Sequence, residues 1–77
     1  MQLPNKLFSY EESIFSKFPI ILETLEAKSL SVKTLFLLAR ENFVIPTDFI
    51  ETLDALYALG KLRYDEKDGK IVYVNRD

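Results

Sequence analysis

Apolar residues in the second half of the chain change from a three-and-four spacing to strict alternation, and the change falls on a glycine. Between Thr47 and Leu59, the residues Phe49, Leu53, Leu56 and Tyr57 recur at intervals that place them on one helical face. Gly60 follows, able to take the left-handed conformation that ends a helix without steric cost, and Lys61 and Arg63 then stand near the negative end of the dipole. Leu62, Tyr64, Ile71 and Tyr73 alternate with polar neighbours, and Asp68-Gly69 between the two runs is a hairpin-turn dipeptide. The pattern predicts a helix feeding a two-stranded hairpin. That is the second half of a winged helix.

Upstream, Ser13 to Ala27 reads as a first helix, with Ile20, Ile21, Leu22 and Leu25 toward the core and Glu23 and Glu26 toward water. Ser13 is a candidate cap for an early turn. Pro19 suits only a helix that begins near it, so a separate turn over Ile14 to Lys17 stays open. Ser29-Leu30 is a short extended connection and a candidate to pair with the hairpin's sheet. Ser31 caps a second helix from Val32 to about Phe43. Its inward set is Val32, Leu35, Phe36, Leu38 and Ala39, its outward set Lys33, Arg40, Glu41 and Asn42. Leu37 lies between the faces and is a candidate for exposure, as is Phe43.

Ile45-Pro46-Thr47 is the next break, with Thr47 expected as N-cap of the third helix and Asp48 suited to the positive dipole end. Ile50 stands where a capping box wants Glu or Gln, so the box is absent. The order is helix, short strand, helix, helix, strand, strand. The fold class is therefore α+β, a small winged-helix domain over residues 13–77 with three helices followed by a two-stranded β-hairpin wing. Residues 1–12 read as an extended N-terminal leader, because Leu3-Pro4 disfavours helix and Pro4-Asn5 suits a turn or extended chain. Leu7, Phe8 and Tyr10 require that leader to dock, along its own first helix or on a neighbouring chain.

Composition narrows the chemistry. At 77 residues the chain makes one small domain with a marginal core, and it has neither cysteine nor histidine. Disulfides, thiolate metal sites and the commonest neutral-pH base are thereby removed. Apolar residues make up 48%, so either every one is needed inside or some mark a partner surface. The net charge of −2 gives no global pull toward nucleic acid or anionic membrane. The apolar runs Phe18 to Leu22 and Leu35 to Ala39 are too short to span a bilayer, and the N-terminus lacks a signal-type apolar core. A cytoplasmic protein without a cofactor is expected.

No active site is legible. Glu11-Glu12 and Asp65-Glu66 are adjacent pairs whose side chains diverge, and Ser9, Ser13, Ser16, Ser29 and Ser31 have no histidine to activate them. The only glycines are Gly60 and Gly69, so no phosphate loop exists. No catalytic, cofactor-binding or metal residue is assigned, and the chain is read as a non-enzyme. A DNA-reading third helix would present cations, yet its polar positions are Asp48, Glu51, Thr52 and Asp54, beside Ala55 and Ala58. The wing is the better candidate, with Lys61, Arg63, Lys67 and Lys70, and Arg76 beyond them, interleaved with Tyr64 and Tyr73. Asp65, Glu66, Asp68 and Asp77 nearly cancel those charges. Such a wing is either a solvated turn or a brush against the backbone of DNA already held by a larger partner.

Leu3-Pro4-Asn5-Lys6, Ser13, the helix with Ile21-Leu22 and Leu25, the run Phe49, Leu53, Ala55 to Leu62, and Gly69-Lys70-Ile71 carry a resemblance. Together they resemble a small middle component of bacterial ABC-three-component systems, whose better-known relatives are the Lamassu-type defence systems. Those operons pair an SMC- or Rad50-like ABC ATPase with an effector and a small middle protein. The resemblance implies a non-catalytic adaptor of an antiphage or antiplasmid complex that binds the ATPase, the effector or both. It implies partner contacts by Leu3, Pro4, Asn5 and Lys6. Leu7, Phe8 and Leu37 join them as apolar candidates. The alternative is a DNA-binding winged-helix regulator that uses Lys61, Arg63, Lys67 and Lys70. Neither membrane nor small molecule is an expected partner.

Overall fold

The computed structural model describes residues 14–74. The leader, including Leu3 to Phe8, and Ser13, Arg76 and Asp77 lie outside the described residues. Helix α1 spans Phe18–Ala27, and a helical turn over residues 14–16 precedes it, separated by Lys17. Pro19 explains that division. It has no N–H to continue the ladder, so it sits in the first turn of α1, where that donor would be unused anyway. The two pieces are joined by Lys17 donating to the Ile14 carbonyl at 3.1 Å.

Helix α2 spans Val32–Ala39 and is capped as its sequence predicts, the Ser31 hydroxyl accepting the Thr34 N–H at 3.1 Å. It is shorter than expected. A 3-10 turn over Arg40–Asn42 tightens its end, and the chain then extends through Phe43. Helix α3 spans Pro46–Ala58, with Ile45 rather than Thr47 at the cap position and no side-chain capping bond. Pro46 holds a helical φ without needing a hydrogen bond, so the helix starts one residue before Thr47 can cap it. Asp48 does lie in the first turn.

The end of α3 follows the Schellman pattern. Lys61 donates to the Leu56 carbonyl at 2.9 Å and Gly60 to that of Tyr57 at 3.0 Å, with Gly60 at φ +76°. No atom lies within 4 Å of where a Cβ on Gly60 would be, so only the backbone conformation resists a side chain. Gly60→Ala is therefore expected to cost about 1–2 kcal/mol, read as a lowered urea midpoint with unchanged slope.

Strands β1, Leu62–Asp65, and β2, Lys70–Tyr73, pair antiparallel with Leu62 opposite Tyr73 and Tyr64 opposite Ile71. The connection is a four-residue loop in which Gly69, at φ +67°, is left-handed and Asp68 is not. Asp65 organises it, its carboxylate accepting the Lys67 N–H at 3.0 Å and its carbonyl that of Gly69 at 2.7 Å. The expected third pairing is present. Leu30 and Ile71 exchange both backbone hydrogen bonds, at 3.3 and 2.6 Å, which ties the α1–α2 connection to the sheet. Three helices followed by a two-stranded antiparallel hairpin make an α+β domain compatible with a winged helix.

One core holds these elements together: Ile21 and Leu25 from α1, Leu35 and Ala39 from α2, Phe43, then Phe49, Leu53 and Leu56 from α3, closed by Leu62 and Ile71. Phe49 is its centre, meeting the rings of Phe36 and Phe43 edge-on at 5.1 and 5.7 Å. Five expectations about facing are corrected. Val32 and Leu38 flank the narrow Leu35–Ala39 stripe and are exposed, and Tyr57 lies one step off the Phe49–Leu53–Leu56 stripe and is exposed too. Phe43, a candidate for exposure, is buried because the 3-10 turn swings it onto Phe49. Thr52, taken for a surface position, is fully buried, and its hydroxyl donates to the Asp48 carbonyl at 2.7 Å.

Candidate partner-docking surface

The exposed side of α3 repeats at helical intervals through Thr47, Ile50, Glu51, Asp54, Tyr57 and Ala58. The opposite side, Phe49, Thr52, Leu53 and Leu56, is the one committed to the core. In this arrangement of helices and hairpin, the outer side of α3 is the surface a winged helix would offer to a major groove. Here it offers Ile50 and Tyr57 with the carboxylates of Glu51 and Asp54. No Lys or Arg occurs anywhere in α3. The Tyr57 hydroxyl is held above the ordinary tyrosine range, first by partial burial and then by the neighbouring Tyr64.

Between the first turns of α2 and α3 runs an open cleft of about 560 Å³. Val32, Lys33 and Phe36 form its α2 wall, Pro46, Thr47 and Ile50 its α3 wall, and Phe49 reaches it from the core. The lining is almost wholly apolar. Its shape follows from the local sequence: Ser31 and Pro46 each start a helix beside the other, and the aliphatic side chains of the two first turns are left facing across the gap. Beyond the cleft, Val44 and Ile45 in the α2–α3 connection are exposed, Val44 almost completely.

Lys61, Arg63, Lys67 and Lys70, the wing cations among the described residues, are exposed, but the register divides them. Arg63, Asp65, Lys70 and Val72 share one face of the hairpin, because Arg63 opposes Val72 and Asp65 opposes Lys70. Asp65 therefore stands between the two cations of that face. Lys67 lies in the turn, and Lys61 lies between α3 and β1. Lys61, Arg63, Lys67 and Lys70 are not gathered into one positive surface.

Of the expected partner-contact residues, Leu37 is described, and it is about half exposed. Leu37 and Leu38 lie outside the cleft lining, on other sides of α2. Sequence reasoning missed the cleft because it assigned Val32 and Phe36 to the core and read Ile50 only as an absent cap partner. The available signal was the recurrence of Thr47, Ile50, Glu51 and Asp54 down the outer side of α3. Among the described residues, no cluster of acidic, histidine or cysteine side chains is arranged to hold a metal ion, and no helix is long and apolar enough to cross a membrane. No curated protein and no solved structure matches the chain. A family model described as ABC-three component (ABC-3C) system Middle Component 7 matches residues 3–72.

Proposed function

We propose that this chain, which belongs to the ABC-three component (ABC-3C) system Middle Component 7 family, is a non-catalytic winged-helix adaptor that docks other components of its system. The observation that carries this reading is the outer face of α3, where apolar and acidic side chains occupy the place a DNA reader fills with cations. Counterion release cannot drive binding there, whereas aliphatic groups rimmed by charge suit a protein partner. The partners are an SMC- or Rad50-like ABC ATPase, an effector, or both, and the setting is a cytoplasmic complex acting against phage or plasmids. Bridging the two would let a DNA signal sensed by the ATPase reach the effector. Leu3 to Phe8 and Leu37 are further contacts in this proposal.

The competing reading, a regulator that binds DNA through the wing, makes the opposite forecast for salt and for charge. Lys67→Glu/Lys70→Glu should leave assembly with the other components unchanged and shift folding stability by no more than about 0.5 kcal/mol, since both side chains are exposed. Fluorescence anisotropy with duplex DNA, repeated from low to moderate salt, supplies the comparison. Tight binding that falls steeply with salt and disappears in the double variant would make the wing the functional element instead.

A further inference from the structure

We propose that the cleft between α2 and α3 seats an amphipathic, basic helical segment of another component of the system. This rests on the adaptor reading and names the surface that performs it. The walls supplied by Val32, Phe36, Pro46 and Ile50 offer shape and apolar contact, while Lys33 and Thr47 are the polar residues of the lining. A small polar ligand would find too few groups to orient it. An elongated apolar one would find an open cleft along the first five residues of α3, Pro46 to Ile50, with the acidic outer side of that helix continuing beyond it.

Charge selects among elongated occupants. Asp48, Glu51 and Asp54 all belong to α3, no cation accompanies them on that helix, and Glu51 and Asp54 are fully on its outer side. The cleft's own cation, Lys33, stands on the opposite wall. A complementary segment therefore carries Lys or Arg along the edge facing α3, aliphatic side chains at helical intervals toward the cleft, and a carboxylate opposite Lys33. Nucleic acid has the wrong sign for the α3 edge. A second copy related by a two-fold axis would bring like surface to like surface, setting one acidic edge near the other.

The test uses the full chain and the two other components, each purified, with binding measured by titration calorimetry at two salt concentrations. Ile50→Asp is expected to weaken binding about 30-fold or more, as for a central interface anchor. Glu51→Lys/Asp54→Lys should weaken it about tenfold and reverse its salt dependence. Leu38→Ser, away from the cleft, should bind as the unaltered chain does. Circular dichroism establishes that each variant is folded, and Ile50→Ser replaces Ile50→Asp should the latter fail to fold. Undiminished binding by folded cleft variants overturns the assignment of the cleft and leaves the adaptor reading intact. An unaltered chain that binds neither component overturns both. A homodimer that Ile50→Asp dissolves makes the occupant a second copy and likewise overturns this proposal.

Discussion

Phe49→Ala is expected to leave little of the domain folded at 25 °C. Phe49 is only 1% exposed, and its ring is held between Phe36 of α2 and Phe43 of the following segment. Removing the ring forfeits its transfer energy and opens a cavity between three segments that cannot all collapse onto an alanine. Substitutions of this kind cost about 3–5 kcal/mol. Domains of this size have about 4–12 kcal/mol in total, from roughly 0.05–0.15 kcal/mol per residue. A chain of 77 residues with one small core and no cysteine belongs at the low end of that range, so the loss consumes most of the reserve. Urea denaturation followed by far-UV circular dichroism should show the folded baseline shortened or gone. A midpoint displaced by the equivalent of less than about 1 kcal/mol would mean that Phe49 is not the centre of the core.

The second large effect is expected at Ile71. Its side chain is fully buried and its backbone joins three segments, pairing with Tyr64 in the hairpin and exchanging hydrogen bonds with Leu30. Ile71→Ala should cost about 2–5 kcal/mol through the cavity alone. It should also loosen the attachment of the hairpin to α1, so the Leu30 amide should lose more hydrogen-exchange protection than amides within α3. Val72→Ala is the internal comparison. Val72 opposes Arg63 on the other face of the hairpin and is only partly buried, so its loss should be much the smaller. Equal effects at the two positions would contradict the observed burial of the sheet.

What could be read from the sequence was whatever local chemistry decides. Gly60 had to end a helix because a left-handed residue is needed there, and Ser31 had to start one because its hydroxyl meets the Thr34 N–H. The alternation around Leu62 and Ile71 placed the two strands, and the extended Ser29-Leu30 pair suggested the bridge that forms. The four-residue hairpin loop was less legible, because the Asp65 carboxylate rather than the Asp68-Gly69 dipeptide alone arranges it.

What could not be read depended on where one element stops against another. Phe43 is buried only because a 3-10 turn ends α2 early, and nothing in Arg40 to Asn42 announces that turn. Val32 and Leu38 satisfy helical periodicity as well as Leu35 does, but the core reaches only a narrow stripe of a helix this short. The cleft is harder still, since it is the gap between two first turns and belongs to neither helix alone. Family membership, by contrast, rests on a match over residues 3–72 as a whole, so it identifies the system more readily than the surface.

The central claim, that this chain works by docking other proteins, is tested most directly by the mass of what it forms. The tagged full chain should be co-expressed with the other components of its ABC-three component system and sized by light scattering coupled to gel filtration. The account predicts a stoichiometric complex with at least one of them that survives a rise to moderate salt. A lone monomer or homodimer that instead shifts duplex DNA would contradict it.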